Sequence, residues 1–353
     1  MSQISAAVEH RPCIGWDIGG AHLKLARIDA GGRLVQAAQY ATPLWQGLDP
    51  LRELFAQVGR EIERDSVRHG LTMTGELVDV FADREQGVNG LLDVFESGFP
   101  GHLAAVYSND GRFLPLAEAR RAWRSVASAN WHATASLAAR HEPRGVLVDI
   151  GSTTTDLVPF EEHRLRHHGG TDQERLRCDE LVYTGVVRTP VMALAQRVPF
   201  AGSWQNVAAD FFATTADVYR VTGDLEDGDD LMDPADHGGK ERRDSLRRLA
   251  RMLGTDAGPE MEPELRLFAE YIADCQFRLL AESVERLLAE RPALRGAPIV
   301  GAGCGRFLAR RLAVRTNAPY LDFPDLVGRG SAGAGVCATA VAVALLARQA
   351  GGA

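Results

Sequence analysis

Apolar runs, alternating runs and helix-periodic runs succeed one another along this 353-residue chain in an order that occurs twice. Residues 13 to 40 predict a three-stranded meander. "CIGWDI" is a strand-like apolar run, "GGAH" turns the chain, "LKLARID" alternates, "AGG" turns it again and "RLVQAAQY" returns. A helix is predicted from about Asp49 to Arg68, because Leu51, Leu54, Phe55, Val58 and Ile62 share one face. "LTMTGEL" predicts a strand ending in a glycine-containing loop, and residues 84 to 97 predict a helix. "HLAAVYSNDGRFLPL" predicts a hairpin around the turn-forming set Asn109-Asp110-Gly111. "AEARRAWRSVASANWHATASLAARH" is helical by pattern, with a break expected near Ser128–Asn130.

The pattern then restarts with "RGVLVDIGSTTTDLVPFEEHRL", again strand, turn and strand. Residues 172 to 260 read as mostly helical and polar-rich, and they include an acidic loop, "DLEDGDDLMDPADHGGKERRD", expected to lie in solvent. A helix from about Pro263 to Glu290 follows. "APIVGAGCGRFLARRLA" is then a strand, a glycine turn and a helix, and "SAGAGVCATAVAVALLARQ" is a buried apolar helix.

The restart is a repeat. "DIGGAHLKLA" (17–26) lies on "DIGSTTTDLV" (149–158) without a gap, matching Asp17 to Asp149, Gly19 to Gly151 and Leu25 to Leu157. Two such turns, each opening one half of the chain, predict duplicated domains facing one another. A turn without side chains lets backbone N–H groups approach an anion, so Gly19, Gly20 and Gly151 are candidate phosphate contacts. Ser152 and the run Thr153, Thr154 and Thr155 would add hydroxyl donors. Asp17 and Asp149, at strand ends, are candidate Mg²⁺ ligands, the ion bridging to phosphate; turn-capping is the alternative reading of each. Lys24 corresponds to Asp156, so one copy offers a cation and the other a carboxylate. Gly301, Gly303 and Gly305 in "GAGCGRFL" form a third glycine turn, which either faces a ligand or serves packing. It is not the dinucleotide fingerprint.

Composition narrows the classes. The hydrophobic share of 45 % and the charged share of 24 % are those of a globular protein. A net charge of −8 supplies no general basic field, so no nucleic-acid partner is expected and an anionic ligand needs a local site. Lys24 and Lys240 are the only lysines, which makes Lys24 distinctive within the first turn. The five cysteines are far apart, with neither zinc-site nor disulfide spacing. No signal peptide or membrane span is read from the sequence, and a cytoplasmic setting is expected.

The three turns in this order resemble the acetate and sugar kinase/Hsc70/actin superfamily. Asp17–Lys24 and Asp149–Asp156 resemble its two phosphate motifs, and Gly301–Gly305 its adenosine motif. The resemblance implies an α/β fold of two RNase-H-like (actin-like ATPase) domains facing a central cleft. Residues 1–140 would form the first, with helix 331–350 packing back onto it. Residues 141–330 would form the second, with a mostly helical insertion at about 172–290. Four further stretches, "LTMTGELVDVFADREQGV", "ASANWHATA", "ELVYTGVVRTPV" and "FFATTADVYRVTGDL", together resemble the hydantoinase/oxoprolinase-like family of the tetrahydromethanopterin-linked C1-transfer pathway.

That resemblance implies a transferase of methanofuran-type cofactor biosynthesis. A phenolic (tyramine-type) amine would be joined to an aminomethylfuranylmethyl diphosphate, with release of diphosphate. A methylotrophic bacterium would fit the C1 setting, and a homodimer is left open. The chemistry needs charge neutralisation for the leaving group and a base for a phenol of pKa about 10. Asp17, Asp156 and Glu76 are the candidate catalytic residues, with Glu76 as candidate base or ligand of the aminomethyl group. Glu76 and Asp79 also read as first-turn acids of a helix capped by Thr74. Arg188 is a candidate anion contact. Thr214, Thr215 and Asp217 either meet substrate or cap a helix. Two other functions remain open on the same motifs: an ATP-dependent small-molecule kinase, and a non-catalytic phosphate- or nucleotide-binding sensor or assembly factor.

Overall fold

A computed structural model describes residues 11–62, 67–328 and 333–350, which divide into two compact units. The first takes residues up to 144, 158–172 and those from 322 on, and the second takes 145–157 and 173–321. Residues 158–172 were expected in the second domain. They join the first because the chain turns back there: the His163 N–H donates to Pro143 O at 3.1 Å, and His163 Nδ1 lies 2.9 Å from Ala139 O.

In the first unit, β1 (Cys13–Ile18), β2 (His22–Ile28) and β3 (Leu34–Ala41) form the meander that the alternation predicts. α1 (Asp49–Gly59) follows, shorter than expected, and part of the predicted remainder, 63–66, lies outside the described residues. β4 (Arg68–Met73) and β5 (Leu103–Tyr107) flank α2 (Arg84–Gly98) in sequence and add to β1 in parallel. β6 (Phe113–Pro115) completes the order β3-β2-β1-β4-β5-β6. The long helical stretch after it breaks twice, into Leu116–Arg121, Trp123–Val126 and α3 (Asn130–His141).

β1 is buried along its whole length, which explains its continuous apolar run. Its core includes Trp16 and Ile18, packed with Leu51 and Phe55 of α1 and with Leu91 and Phe95 of α2. The Trp16 indole donates to His69 Nδ1 at 2.9 Å, and burial drives the His69 ring down to about 3, so it stays neutral and can accept. The C-terminal helix, Ala338–Ala350, packs against β1 and β4 as well. It starts later than predicted, and part of the expected start, 331–332, lies outside the described residues. Gly15 and Gly70, register partners in β1 and β4, admit it. A Cβ on Gly15 would sit 1.9 Å from Ala340 O, and one on Gly70 would sit 2.9 Å from the Ala347 Cβ.

The second sheet repeats that order. β7 (Arg144–Ile150) and β8 (Thr155–Glu161) carry the repeated turn, and β9 (Arg164–Leu165) pairs with β8. β10 (Leu181–Val182) lies on the other side of β8 from β7, giving β10-β8-β7-β13-β14 once β13 (Ile299–Ala302) and β14 (Tyr320–Asp322) are added. β13 is parallel to β7, as β4 is to β1. A five-strand order shared by two sheets is the RNase-H-like pattern in duplicate.

The insertion is less helical than expected. A hairpin of β11 (Arg197–Phe200) and β12 (Ser203–Asn206) precedes α4 (Thr215–Thr222), α5 (Arg242–Met252) and α6 (Glu262–Glu290), and α7 (Arg306–Arg315) follows β13. Pro190, Pro199 and Gly202 keep the stretch before α4 out of a long helix. The acidic loop is likewise not simply solvated. Asp230 is buried against Arg220 and Lys240. Asp236 accepts from Arg248 at 2.9 Å and Arg251 at 3.1 Å, and Arg248 is itself fully buried. These arginines on α4 and α5 need carboxylates, and the loop provides them.

Gly15→Ala should lower stability by about 1–3 kcal/mol or more, because the helix backbone cannot yield as a side chain would. Urea unfolding of the two proteins checks this; an unchanged midpoint would mean the helix is not seated so closely.

Candidate functional site

The turn after β1 is held by backbone. The Gly19 N–H donates to His22 O at 2.9 Å, and the Thr74 N–H donates to Ile18 O at 3.0 Å. A Cβ on Gly20 would lie 2.9 Å from Val78 Cγ1, so the loop following β4 borders this turn. Asp17 and Lys24 are direct register partners on β1 and β2. Lys24 Nζ lies 4.0 Å from Asp17 Oδ2, with Asp17 buried and Lys24 half-buried. The ammonium thus stands beside a carboxylate of its own strand pair.

In the second unit the corresponding turn closes through the Gly151 N–H, donating to Thr154 O at 2.9 Å. Residues 184–189 are laid directly on it. The Val186 N–H donates to Gly151 O, and the N–H groups of Val187 and Arg188 donate to Ser152 O, at 3.1, 3.1 and 2.8 Å. A Cβ on Gly185 would come within 2.5 Å of Thr153 N. Arg188 is exposed, and its guanidinium reaches the Thr153 hydroxyl at 3.4 Å, so two predicted anion contacts do come together. A buried set fixes Gly185: Thr189 and Thr215 hydroxyls donate to Gly185 O at 3.1 and 2.9 Å, and Gln276 Nε2 donates to it at 2.8 Å. Gly185 and Gln276 were not singled out in sequence. The glycine of "YTGVV" was a visible signal, whereas nothing local marks Gln276 on α6.

The third turn rests against the second. Gly303 has φ +82°, and a Cβ there would meet Ile150 O at 2.1 Å and Asp149 Oδ1 at 2.7 Å. The Gly305 N–H donates to Ile150 O at 2.8 Å. A Cβ on Gly301 would meet the Tyr320 hydroxyl at 2.5 Å. All three glycines therefore have packing reasons, and Gly303 brings its turn to the side of half-buried Asp149. Asp156 is buried and accepts from Arg175 at 2.8 Å, while Arg175 also donates to Glu180 O at 2.8 Å. That ion pair accounts for the burial of Asp156, the counterpart of Lys24 in the repeat.

Glu76 lies on a short helical turn, Gly75–Leu77, directly after β4. It is 1 % exposed. The Ser128 hydroxyl donates to its Oε1 at 2.8 Å, and its Oε2 is buried with no hydrogen-bond partner. Burial raises the carboxyl to about 7, with the nearby Asp172 charge a smaller contribution in the same direction. Thr74 precedes this turn but makes no side-chain capping bond, and Asp79 is exposed. Thr214 and Asp217, by contrast, do cap α4. The Asp217 carboxylate accepts from the Thr214 N–H at 3.1 Å and from the Ser245 hydroxyl and Arg248 Nε at 2.8 Å each.

Among the described residues no group of three or more His, Cys, Asp or Glu side chains is arranged to hold a metal. Mg²⁺ asks for less, one or two carboxylates with water and phosphate oxygens completing the shell. Asp17 beside the Gly19–Gly20 turn and Asp149 beside Gly303 each fit that donor chemistry within their own unit.

The Hydantoinase/oxoprolinase family model matches residues 68–350. The chain belongs to this family. It is 32 % identical over 291 residues to the (4-{4-[2-(gamma-L-glutamylamino)ethyl]phenoxymethyl}furan-2-yl)methanamine synthase of Methanocaldococcus jannaschii, covering 82 % of this chain and 86 % of that protein. The protein of the same name from Methanococcus vannielii is 31 % identical over 159 residues, covering 45 % of this chain and 70 % of the relative. The nucleotide-free structure of acetone carboxylase shares the fold, with TM-score 0.57 at 10 % identity over 94 % of this chain and 70 % of that one. The family match contains Glu76, the 149–156 turn and the 301–305 turn, while the Asp17–Lys24 turn precedes it.

Glu76 has a pH signature. Its proton is retained to about pH 7 when folded but only to its ordinary value of 4.5 otherwise, so its contribution is full below 4.5 and is lost as pH rises through 7. Glu76→Gln should therefore exceed the wild type in stability by about 3 kcal/mol at alkaline pH and match it in acid. Denaturant titrations at both extremes check this; parallel pH dependences in the two proteins would contradict it.

Proposed function

We propose that this chain is a transferase of methanofuran-type cofactor biosynthesis that forms an aryl ether and releases diphosphate. What carries the reading is the likeness to the M. jannaschii synthase along most of both chains. The substrates are a phenolic amine and an aminomethylfuranylmethyl diphosphate. The ether C–O bond forms as the bond from the furanylmethyl carbon to diphosphate breaks, the leaving group taking the electron pair and the base taking the phenol proton.

Glu76 is the candidate base. A carboxyl raised to about 7 is matched to accepting a proton near neutrality, and its location beside the Gly19–Gly20 turn supports the assignment. In the first unit, Lys24 offers a half-exposed ammonium to an anion. In the second, Arg188 and the Ser152 and Thr153 hydroxyls offer hydrogen-bond donors. Mg²⁺, held by Asp17 or Asp149, would supply charge neutralisation for a diphosphate. Asp156 is ion-paired with Arg175, so within this reading it has a structural part at the start of β8. The enzyme would work in the cytoplasm of a methylotrophic bacterium on small molecules, without a nucleic-acid or membrane partner. No helix among the described residues is long and apolar enough to cross a membrane.

Thermal shift with Mg²⁺ plus diphosphate, set against Mg²⁺ plus ATP, tests the reading, followed by mass spectrometry for the furan–phenol ether. Stabilisation by diphosphate is expected. Stabilisation by ATP alone would favour the kinase instead, and none by either would favour a non-catalytic scaffold. Lys24→Ala should weaken diphosphate binding by about tenfold or more. The variant should still fold, with its unfolding midpoint lowered, because the buried Asp17 carboxylate loses the ammonium beside it.

A further inference from the structure

Ser128 is one of the few non-glycine residues with a left-handed backbone, at φ +50°. Such a conformation is costly unless its surroundings impose it. Its neighbour Ala127 bridges Met73 at the end of β4, which brings Ser128 to the turn carrying Glu76. The Ser128 hydroxyl then stands between two carboxyl groups, 2.8 Å from Glu76 Oε1 and 3.3 Å from Asp172 Oδ2. Asp172 is ion-paired with Arg84 of α2 at 2.7 Å. These are the two charged groups that act on Glu76 across the cluster.

A serine hydroxyl has one hydrogen and cannot donate it to both acceptors at once. With Glu76 ionised, the hydrogen belongs on Glu76 Oε1, because that carboxylate is the more deeply buried and has no other donor from a side chain. With Glu76 protonated, the glutamic acid O–H can donate to Ser128 Oγ, and the serine hydrogen turns to Asp172. The protonated state has a hydrogen in both contacts of the row, whereas the ionised state has one, on Glu76, and leaves Asp172 to Arg84; the two states differ by one proton on Glu76.

We propose that Ser128 is a positioning residue for Glu76, passing its hydroxyl hydrogen between the Glu76 and Asp172 carboxylates and so coupling the proton affinity of Glu76 to the Asp172–Arg84 ion pair. The proposal rests on the reading of Glu76 as proton acceptor for its catalytic meaning, but the coupling itself is a property of the folded protein. In the transferase, it would stabilise the Glu76 carboxylate before the phenol gives up its proton. It would also keep the glutamic acid hydrogen-bonded afterwards.

Infrared titration of the protein labelled with ¹³C-carboxyl glutamate reads the Glu76 midpoint without any substrate, with Glu76→Gln assigning the band. Ser128→Gly removes the hydroxyl and suits the left-handed backbone, so it should fold. It should raise the midpoint by about one to two pH units. Ser128→Ala should raise it equally, which separates loss of the hydroxyl from any backbone effect. Asp172→Asn should lower it, since the like charge goes and Arg84 is released. An unchanged midpoint in both Ser128 variants would overturn the proposal, as would an unchanged or raised one in Asp172→Asn. Transferase rate against pH should shift with the infrared midpoint in each variant. A rate profile that ignores a shifted midpoint would sink Glu76 as the base and leave the coupling standing.

Discussion

Strands buried on both faces cannot hand their polar ends to water, and this constraint organises both units. β1 and β7 each end in a turn whose backbone must be satisfied by other protein backbone. The Gly19–Gly20 turn is closed by His22 and Thr74, and the Gly151 turn by Thr154, Val186, Val187 and Arg188. Once those bonds are made, Asp17, Lys24, Asp149 and the 152–154 hydroxyls project from a backbone that is already fixed. The glycines are needed because neighbouring chain lies within a methyl group's reach, at Gly20, Gly185, Gly303 and Gly305.

The repeat preserves this backbone device while the charges around it diverge. In the first copy, Lys24 and Asp17 face each other across adjacent strands. In the second, Asp156 takes Lys24's place and turns to Arg175, a residue outside the repeated segment. Each unit has therefore kept the turn and found a different answer to the question of how its charged strand residue is balanced.

How much of this the sequence disclosed follows from the range of the interactions involved. The meander, α2, the hairpin at Asn109–Gly111 and both repeated turns rest on local periodicity and turn chemistry, and they are found where the pattern puts them. Gln276 contacts a glycine far away in the chain, so no window around it carries the signal. Glu76 reads locally as a helix-start acid. Its burial depends on α2, where Gly87 lets the backbone approach Glu76 O, and on Ser128. The acidic loop misled for a related reason: its composition suggests solvent, but its partners are arginines on α4 and α5 that composition alone does not pair with it. Thr214 and Asp217 were ambiguous because a capping pair and a substrate contact use the same residue types.

The seating of the Ala338–Ala350 helix on Gly15 and Gly70 also dictates an order of events during synthesis. β1 is translated before the second unit, and the helix that covers one of its faces is translated after it. Every residue of the second unit is made in between. The nascent chain thus carries an apolar strand with one side uncovered while a whole further unit is translated. The second unit can complete its own sheet first, and the first unit's core closes only once the Ala338–Ala350 helix has been made.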